Sequence, residues 1–133
     1  MANEAINLEA PRIVKRYTVL DSVGIAKGTI LRLSAGDLYA DASSADGDVF
    51  AGVAIEEKTA NDGITSIGAA VDGVWDIKCN AGVGIALGAM VCLSGANLIR
   101  TVVEADFPLG RPFGKALEAA SVSEVIRVRL GLN

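Results

Sequence analysis

The sequence predicts an all-β fold made of two similar halves, and three observations carry that prediction. Val23-Gly24-Ile25-Ala26-Lys27-Gly28-Thr29-Ile30-Leu31-Arg32-Leu33-Ser34 returns 60 positions later as Val83-Gly84-Ile85-Ala86-Leu87-Gly88-Ala89-Met90-Val91-Cys92-Leu93-Ser94, with V, G, I, A, G, L and S identical. A period this long exceeds one solenoid turn and suits a duplicated small β unit. Apolar and polar residues alternate as in half-buried strands: Ile126, Val128 and Leu130 against Arg127 and Arg129, and Trp75, Ile77 and Cys79 against Asp76 and Lys78. No stretch keeps helical i, i+3, i+4, i+7 spacing for three turns, because glycines, 15 in all, interrupt the candidates.

Taken in order, residues 1–12 contain no glycine, show no clear period and end at Pro11, so they read as an extended N-terminal arm. Ile6, Leu8 and Ile13 are its spaced apolar residues, and Arg12, Lys15 and Arg16 form a small basic group after it. Two readings stay open: a terminus without a role, and a segment that orders by adding a strand to a partner. Residues 13–133 read as a single β-rich domain with an internal pseudo-repeat, about 20–78 and 80–131. Strands are expected near 13–20, 29–34, 49–57, 64–71, 74–79, 89–93, 98–103, 113–119 and 123–130. Leu38 and Leu98 extend the first repeated block, and the Phe50–Glu56 block is answered by Phe113–Glu118 with a small change of register. Turn residues fall between the strands: Asp46-Gly47, Asn61-Asp62-Gly63 and Asp72-Gly73, with Ser34-Ala35-Gly36-Asp37 answered by Ser94-Gly95-Ala96-Asn97.

The chain of 133 residues is 51% hydrophobic but only 5% aromatic, so its core is expected to be aliphatic. Mean hydropathy of +0.43 leaves apolar surface for which a subunit interface is one outlet. A net charge of −4 argues against nucleic-acid binding, which needs clustered cations. The first residues lack the apolar core of a secretory signal, and no run reaches 18 apolar residues, so synthesis in a cytoplasm and no membrane span are expected. Two cysteines make no disulfide framework; Cys79 is expected to face inward and Cys92, which stands where Arg32 does, outward.

Chemistry is sparse. Without histidine there is no Ser/His or Cys/His system, and two cysteines alone do not complete a zinc site. No dinucleotide fingerprint or phosphate loop is present, and no cofactor or metal is expected. Asp37, Asp41, Asp46 and Asp48 form an acidic stretch with a calcium reading, but Ala45 falls where a loop ligand belongs, and a solvated loop is favoured. Glu56-Glu57 and Glu118 recur in both halves, which favours a structural role over paired catalytic carboxylates. Trp75 is read as a core or interface aromatic before a ligand platform.

Gly24, Gly28, Leu31, Leu33, Gly52, Val53, Ala54, Gly73, Gly84, Gly88, Val91, Leu93, Gly114, Ala116, Val128 and Leu130 set out a doubled pattern of bend, strand, loop and strand. From about Val14 to Leu130 that pattern resembles the small head-decoration proteins of tailed bacteriophages. These are packing and turn positions, so the likeness is one of overall pattern. It implies a small β-barrel or β-tulip fold and a homotrimer on the outer surface of the expanded virion capsid, at threefold or quasi-threefold positions. There it would bind the major capsid protein and cement neighbouring subunits, with no enzymatic activity. The resemblance also implies a capsid-touching arm, placing Ile6, Leu8, Pro11, Arg12, Ile13, Lys15 and Arg16 at the contact. The alternatives are a carbohydrate- or calcium-binding β module and the base of a head fibre. An enzyme built on Glu56 or Glu118 is the weakest reading.

Overall fold

A computed structural model of the chain describes residues 3–34, 36–80, 82 and 84–131. Ala35, Ala81 and Val83, named in the turn and repeat segments above, lie outside the described residues, as do the first two and last two. Eleven strands run β1 Ile6–Glu9, β2 Val14–Thr18, β3 Ile30–Leu33, β4 Ala40–Ala42, β5 Phe50–Ala54, β6 Ser66–Ala70, β7 Gly73–Cys79, β8 Met90–Gly95, β9 Leu98–Thr101, β10 Gly114–Ala116 and β11 Val125–Leu130. A 3-10 turn, Glu104–Leu109, stands between β9 and β10.

The duplication is visible as topology. One sheet has the order β2-β6-β5-β3-β4, and the other repeats it as β7-β11-β10-β8-β9, with β1 added outside β7. The second five strands close into a small barrel through parallel pairing of Lys78 and Cys79 with Leu98 and Ile99. The first five show the same closure as a single parallel bridge from Thr18 to Tyr39. The structural halves are therefore β2–β6 and β7–β11. β7, which the sequence frame of 20–78 places at the end of the first copy, opens the second barrel.

Backbone hydrogen bonds repeat position by position. Ile25 and Lys58 exchange bonds of 2.9 and 2.8 Å, as Ile85 and Ala120 do at 2.9 and 2.8 Å. Gly28 N–H donates to Ala54 O at 2.8 Å, and Gly88 N–H to Ala116 O at 2.9 Å. The repeated Gly-x-x-x-Gly segments are thus bends that lead the chain into β3 and β8.

The first barrel encloses Tyr17, Val19, Ile25, Leu31, Ala51, Ala54, Ile67 and Ala69. Tyr17 keeps its hydroxyl satisfied by donating to Ala51 O at 2.7 Å. The opposite face of the same strands is also buried: Ile30, Val53 and Ala70 belong to the core that continues into Ile77, Val91, Leu93, Ile126 and Val128 of the second barrel. Strands covered on both faces explain the high apolar fraction and the scarcity of aromatics, since Val, Ile and Ala fit between closely spaced sheets.

Polar contacts fix how the halves meet. Asn97, buried in the β8–β9 turn, accepts from Ile30 N–H through Oδ1 at 2.8 Å, and its own N–H donates to Ser43 Oγ at 3.2 Å. Gly47 N–H donates to Leu93 O at 3.0 Å, and the Phe50 and Phe113 rings stack at 4.1 Å.

Two expectations change. Residues 6–9, read as part of a separate arm, form strand β1, paired antiparallel with β7 of the same chain. Cys92 is fully buried. It does alternate with Val91 and Leu93, but Asp106 of the 3-10 turn covers that outer face, with Oδ2 3.8 Å from the thiol.

Candidate functional site

The residues expected to make contacts lie along β1, the β1–β2 connection and β2. Ile6, Leu8 and Ile13 are exposed, as are Arg12, Lys15 and Arg16, while Pro11 is partly covered. The segment is anchored from beneath. Ala5 is buried and donates to Gly28 O at 2.7 Å. Asp72, in the β6–β7 turn, accepts from the N–H groups of Arg12 and Ile13 at 2.8 and 3.0 Å. A short edge strand with a register shift between Asn7 and Glu9 is thereby held rigidly while its outer edge faces solvent.

The structure separates these side chains into two groups. Ile6 and Pro11 line an apolar groove of about 690 Å³ with Ile55, Lys27 and Trp75. Arg12 and Ile13 line a second cleft of about 430 Å³ with Asp72 and Arg129. Leu8, Lys15 and Arg16 border neither. Arg16 instead reaches Glu56 at 3.3 Å and Ser66 at 3.1 Å. Trp75 is a core residue that also walls the first groove, its Nε1 donating to Asp72 O at 3.0 Å.

The acidic stretch folds onto arginines. Arg32 meets Asp41 at 2.7 Å and Asp48 at 3.3 Å, and Arg100 meets Asp46 at 2.6 Å. Burial acts to raise the Asp48 carboxyl, yet the N–H groups of Ser44 and Ala45 and the Arg32 charge bring it below its ordinary value. Asp37 stays exposed outside this network. Among the described residues, no group of three or more His, Cys, Asp or Glu is arranged around a metal position. Glu56 accepts from Gly68 N–H at 2.7 Å, and Glu118 from Arg127 N–H at 2.9 Å, so each ties itself to a backbone N–H within the strand that follows its own in the sheet.

A buried network was not legible in the sequence. Asp106 is wholly buried, accepts from Arg100 at 2.8 and 3.1 Å and from Arg111 at 3.1 Å, and also takes Val103 N–H at 2.8 Å. The Arg100 hydrogen bonds lead in holding its carboxyl well below the usual range, against the cost of burial. This network fixes the 3-10 turn, which presents Val103, Phe107 and Leu109 to solvent. Burial first, with Asp106 nearby, pushes the Cys92 thiol up to about 11, and Cys79 is raised for the same leading reason. Both thiols are fully buried, the setting that favours the protonated form.

The outward side of β1 and the β1–β2 connection thus carries exposed apolar side chains on a backbone anchored to the β scaffold. The fold places the chain among small all-β proteins of doubled barrel design. No protein-family model matches the chain, and no curated protein matches it in sequence. Among solved structures it is similar to the N base of the head fiber protein gp8.5 of bacteriophage phi29, with 17% identity, a TM-score of 0.55, and coverage of 90% of this chain and 93% of that one. At that identity the likeness establishes a shared fold across nearly the whole of both chains.

Proposed function

We propose that this chain is a structural component of a tailed-phage head, bound as a homotrimer to the outer surface of the capsid at threefold or quasi-threefold positions. The observation that carries this reading is the fold shared over 90% of this chain and 93% of a phage head-fibre base. Its role is to cement neighbouring copies of the major capsid protein, and it works through surface complementarity without a catalytic group. The exposed residues of β1 and the β1–β2 connection, Ile6, Leu8, Arg12 and Ile13, meet the capsid, while Asp72 and Gly28 hold their backbone in place. The same neighbour favours a second reading, in which the chain is the base of a head fibre.

Co-sedimentation with purified expanded heads that lack this protein tests the attachment. Truncating the arm is a poor probe, because it strips Ala5 from Gly28 and β1 from β7. Ile6→Asp and Leu8→Asp are cleaner, since both side chains are exposed. The expected result is saturable binding by the wild-type chain and at least tenfold weaker binding by the double variant. Heads that take up no wild-type protein would sink the reading. Equal uptake of both proteins would remove β1 from the contact.

A further inference from the structure

The two halves are alike in fold but unlike in what they expose, and the mismatch is systematic. Strand pairing aligns them: Leu31 and Leu33 oppose Ala42 and Ala40, as Val91 and Leu93 oppose Thr101 and Ile99. Ile30 and Val53 pair, and Val53 pairs with Ala70; at the same places Met90 pairs with Lys115, and Lys115 with Arg129. In the first barrel this outer face is fully buried, because the β8–β9 turn and its Asn97 sit on it. In the second barrel Met90 and Arg129 are only partly covered and Lys115 is exposed. Beside them lies a cleft of about 210 Å³ between Gly88, Met90, Gly114 and Lys115.

The converse holds for the turn that does the covering. Leu93 is fully buried and its carbonyl takes Gly47 N–H of the first half, whereas its counterpart Leu33 is 46% exposed. Leu38 occupies the place of Asn97, with φ of 55° against 58°, and is 67% exposed. A leucine in the left-handed region, turned to solvent, is conformationally disfavoured and apolar at once, a combination that points to a contact. The connection after β4 grips the second barrel through Gly47 and Asp46, and its counterpart after β9 carries Val103, Phe107 and Leu109 at 58, 51 and 54% exposure.

We infer that copies of this chain join head to tail by repeating their own internal interface. The β3–β4 turn of one copy, led by Leu33 and Leu38, seats on the second barrel of the next, against Met90 and Phe107. Charge agrees with this occupant: Asp37 is exposed on the turn, and Lys115 and Arg129 stand side by side on the receiving face. The contact is heterologous, so it closes into a ring or runs on as a filament. A ring of three copies carries six barrels, each with its outer face covered by the turn of its neighbour. This specifies the contact within the proposed trimer and rests on that part of the reading.

Light scattering over a concentration series tests it with two variants, Leu38→Lys on the turn and Phe107→Asp on the receiving face. Both side chains are more than half exposed, so circular dichroism of each variant should match wild type. The expected result is a three-chain particle for wild type and single chains for each variant. Mixed one to one, the variants should form a two-chain particle, because the Leu38→Lys copy keeps an intact receiving face and the Phe107→Asp copy an intact turn. A single-chain wild type, or variants that retain the wild-type mass, overturns the contact. Binding of that single-chain wild type to heads would leave the attachment standing, so the two failures are distinguishable.

Discussion

Asp106 shows how one buried carboxylate can hold an exposed apolar turn in place. Its two arginine partners satisfy both oxygens, and removing the charge leaves Arg100 and Arg111 facing a neutral group in a covered site. Asp106→Asn is therefore expected to cost about 3 kcal/mol, the scale for breaking a buried pair on one side. The pH dependence has a definite sign. The folded carboxyl lies below its unfolded value of about 4, so its contribution is complete above that pH and is lost as pH falls through the acid range toward the folded value. Urea unfolding from pH 7 downward should show an acid limb that flattens in Asp106→Asn; an unchanged limb would assign the acid loss to other carboxylates. The acidic stretch at 37–48 yields a second expectation. Arg32 and Arg100 already neutralise Asp41, Asp46 and Asp48, so millimolar calcium should leave the melting temperature within a degree of its starting value. A rise of several degrees would reinstate a cation site there.

At the scale of elements, Gly28 and Gly88 form a matched pair with different surroundings. Both have positive φ, 90° and 79°, which an added Cβ makes costly in either half. At Gly28 that Cβ would also lie 2.5 Å from Ala5 O and 2.9 Å from Glu4 Cβ, whereas at Gly88 it meets nothing within 4 Å. Gly88→Ala should cost about 1 kcal/mol from backbone strain alone. Gly28→Ala should cost about 1–3 kcal/mol more, as an overpacked site does, and should release the N-terminal segment. Amide exchange at Ala5 checks the second part: retained protection in Gly28→Ala would mean the segment is not anchored there.

The same pair explains what could be read in advance. All nine strands expected from alternation and turn residues are present, because each buries a face and its pattern is written locally. β1 and β4 were missed: β1 is exposed throughout and owes its conformation to β7, some 65–70 residues away. The repeat was legible, but its register after the first block was not. Sequence matches Leu38 with Leu98, while the span from Leu33 to its partner Ala40 is one residue longer than that from Leu93 to Ile99, and structure matches Leu38 with Asn97. Cys92 was placed on the correct face, but the 3-10 turn that covers it has no counterpart in the first half to announce it. The apolar and basic side chains read along β1 and β2 are exposed as their pattern implied, but the anchoring of their backbone through Asp72 and Gly28 depends on distant partners.

For the whole molecule, two barrels that could have been independent are joined by a shared apolar layer and by Asn97. Ile30 N–H is buried and finds its acceptor in the side chain of the other half. A separated first barrel would expose Ile30, Val53 and Ala70 and leave that donor seeking water, so the first half depends on the second. Calorimetry should then show one transition with equal calorimetric and van't Hoff enthalpies. Asn97→Gly tests the bridge, since glycine keeps the left-handed backbone while the side-chain amide, with the acceptor of Ile30 N–H, is removed. The unpaired Ile30 donor should cost about 1–3 kcal/mol, lowering a single transition without splitting it. Two resolved transitions, in wild type or in Asn97→Gly, would show that the barrels unfold separately, and the internal interface would then be too weak a template for contacts between copies. One lowered transition would instead show that the halves unfold as a unit and that Asn97 contributes to their joint, the kind of contact that duplication makes available for assembly.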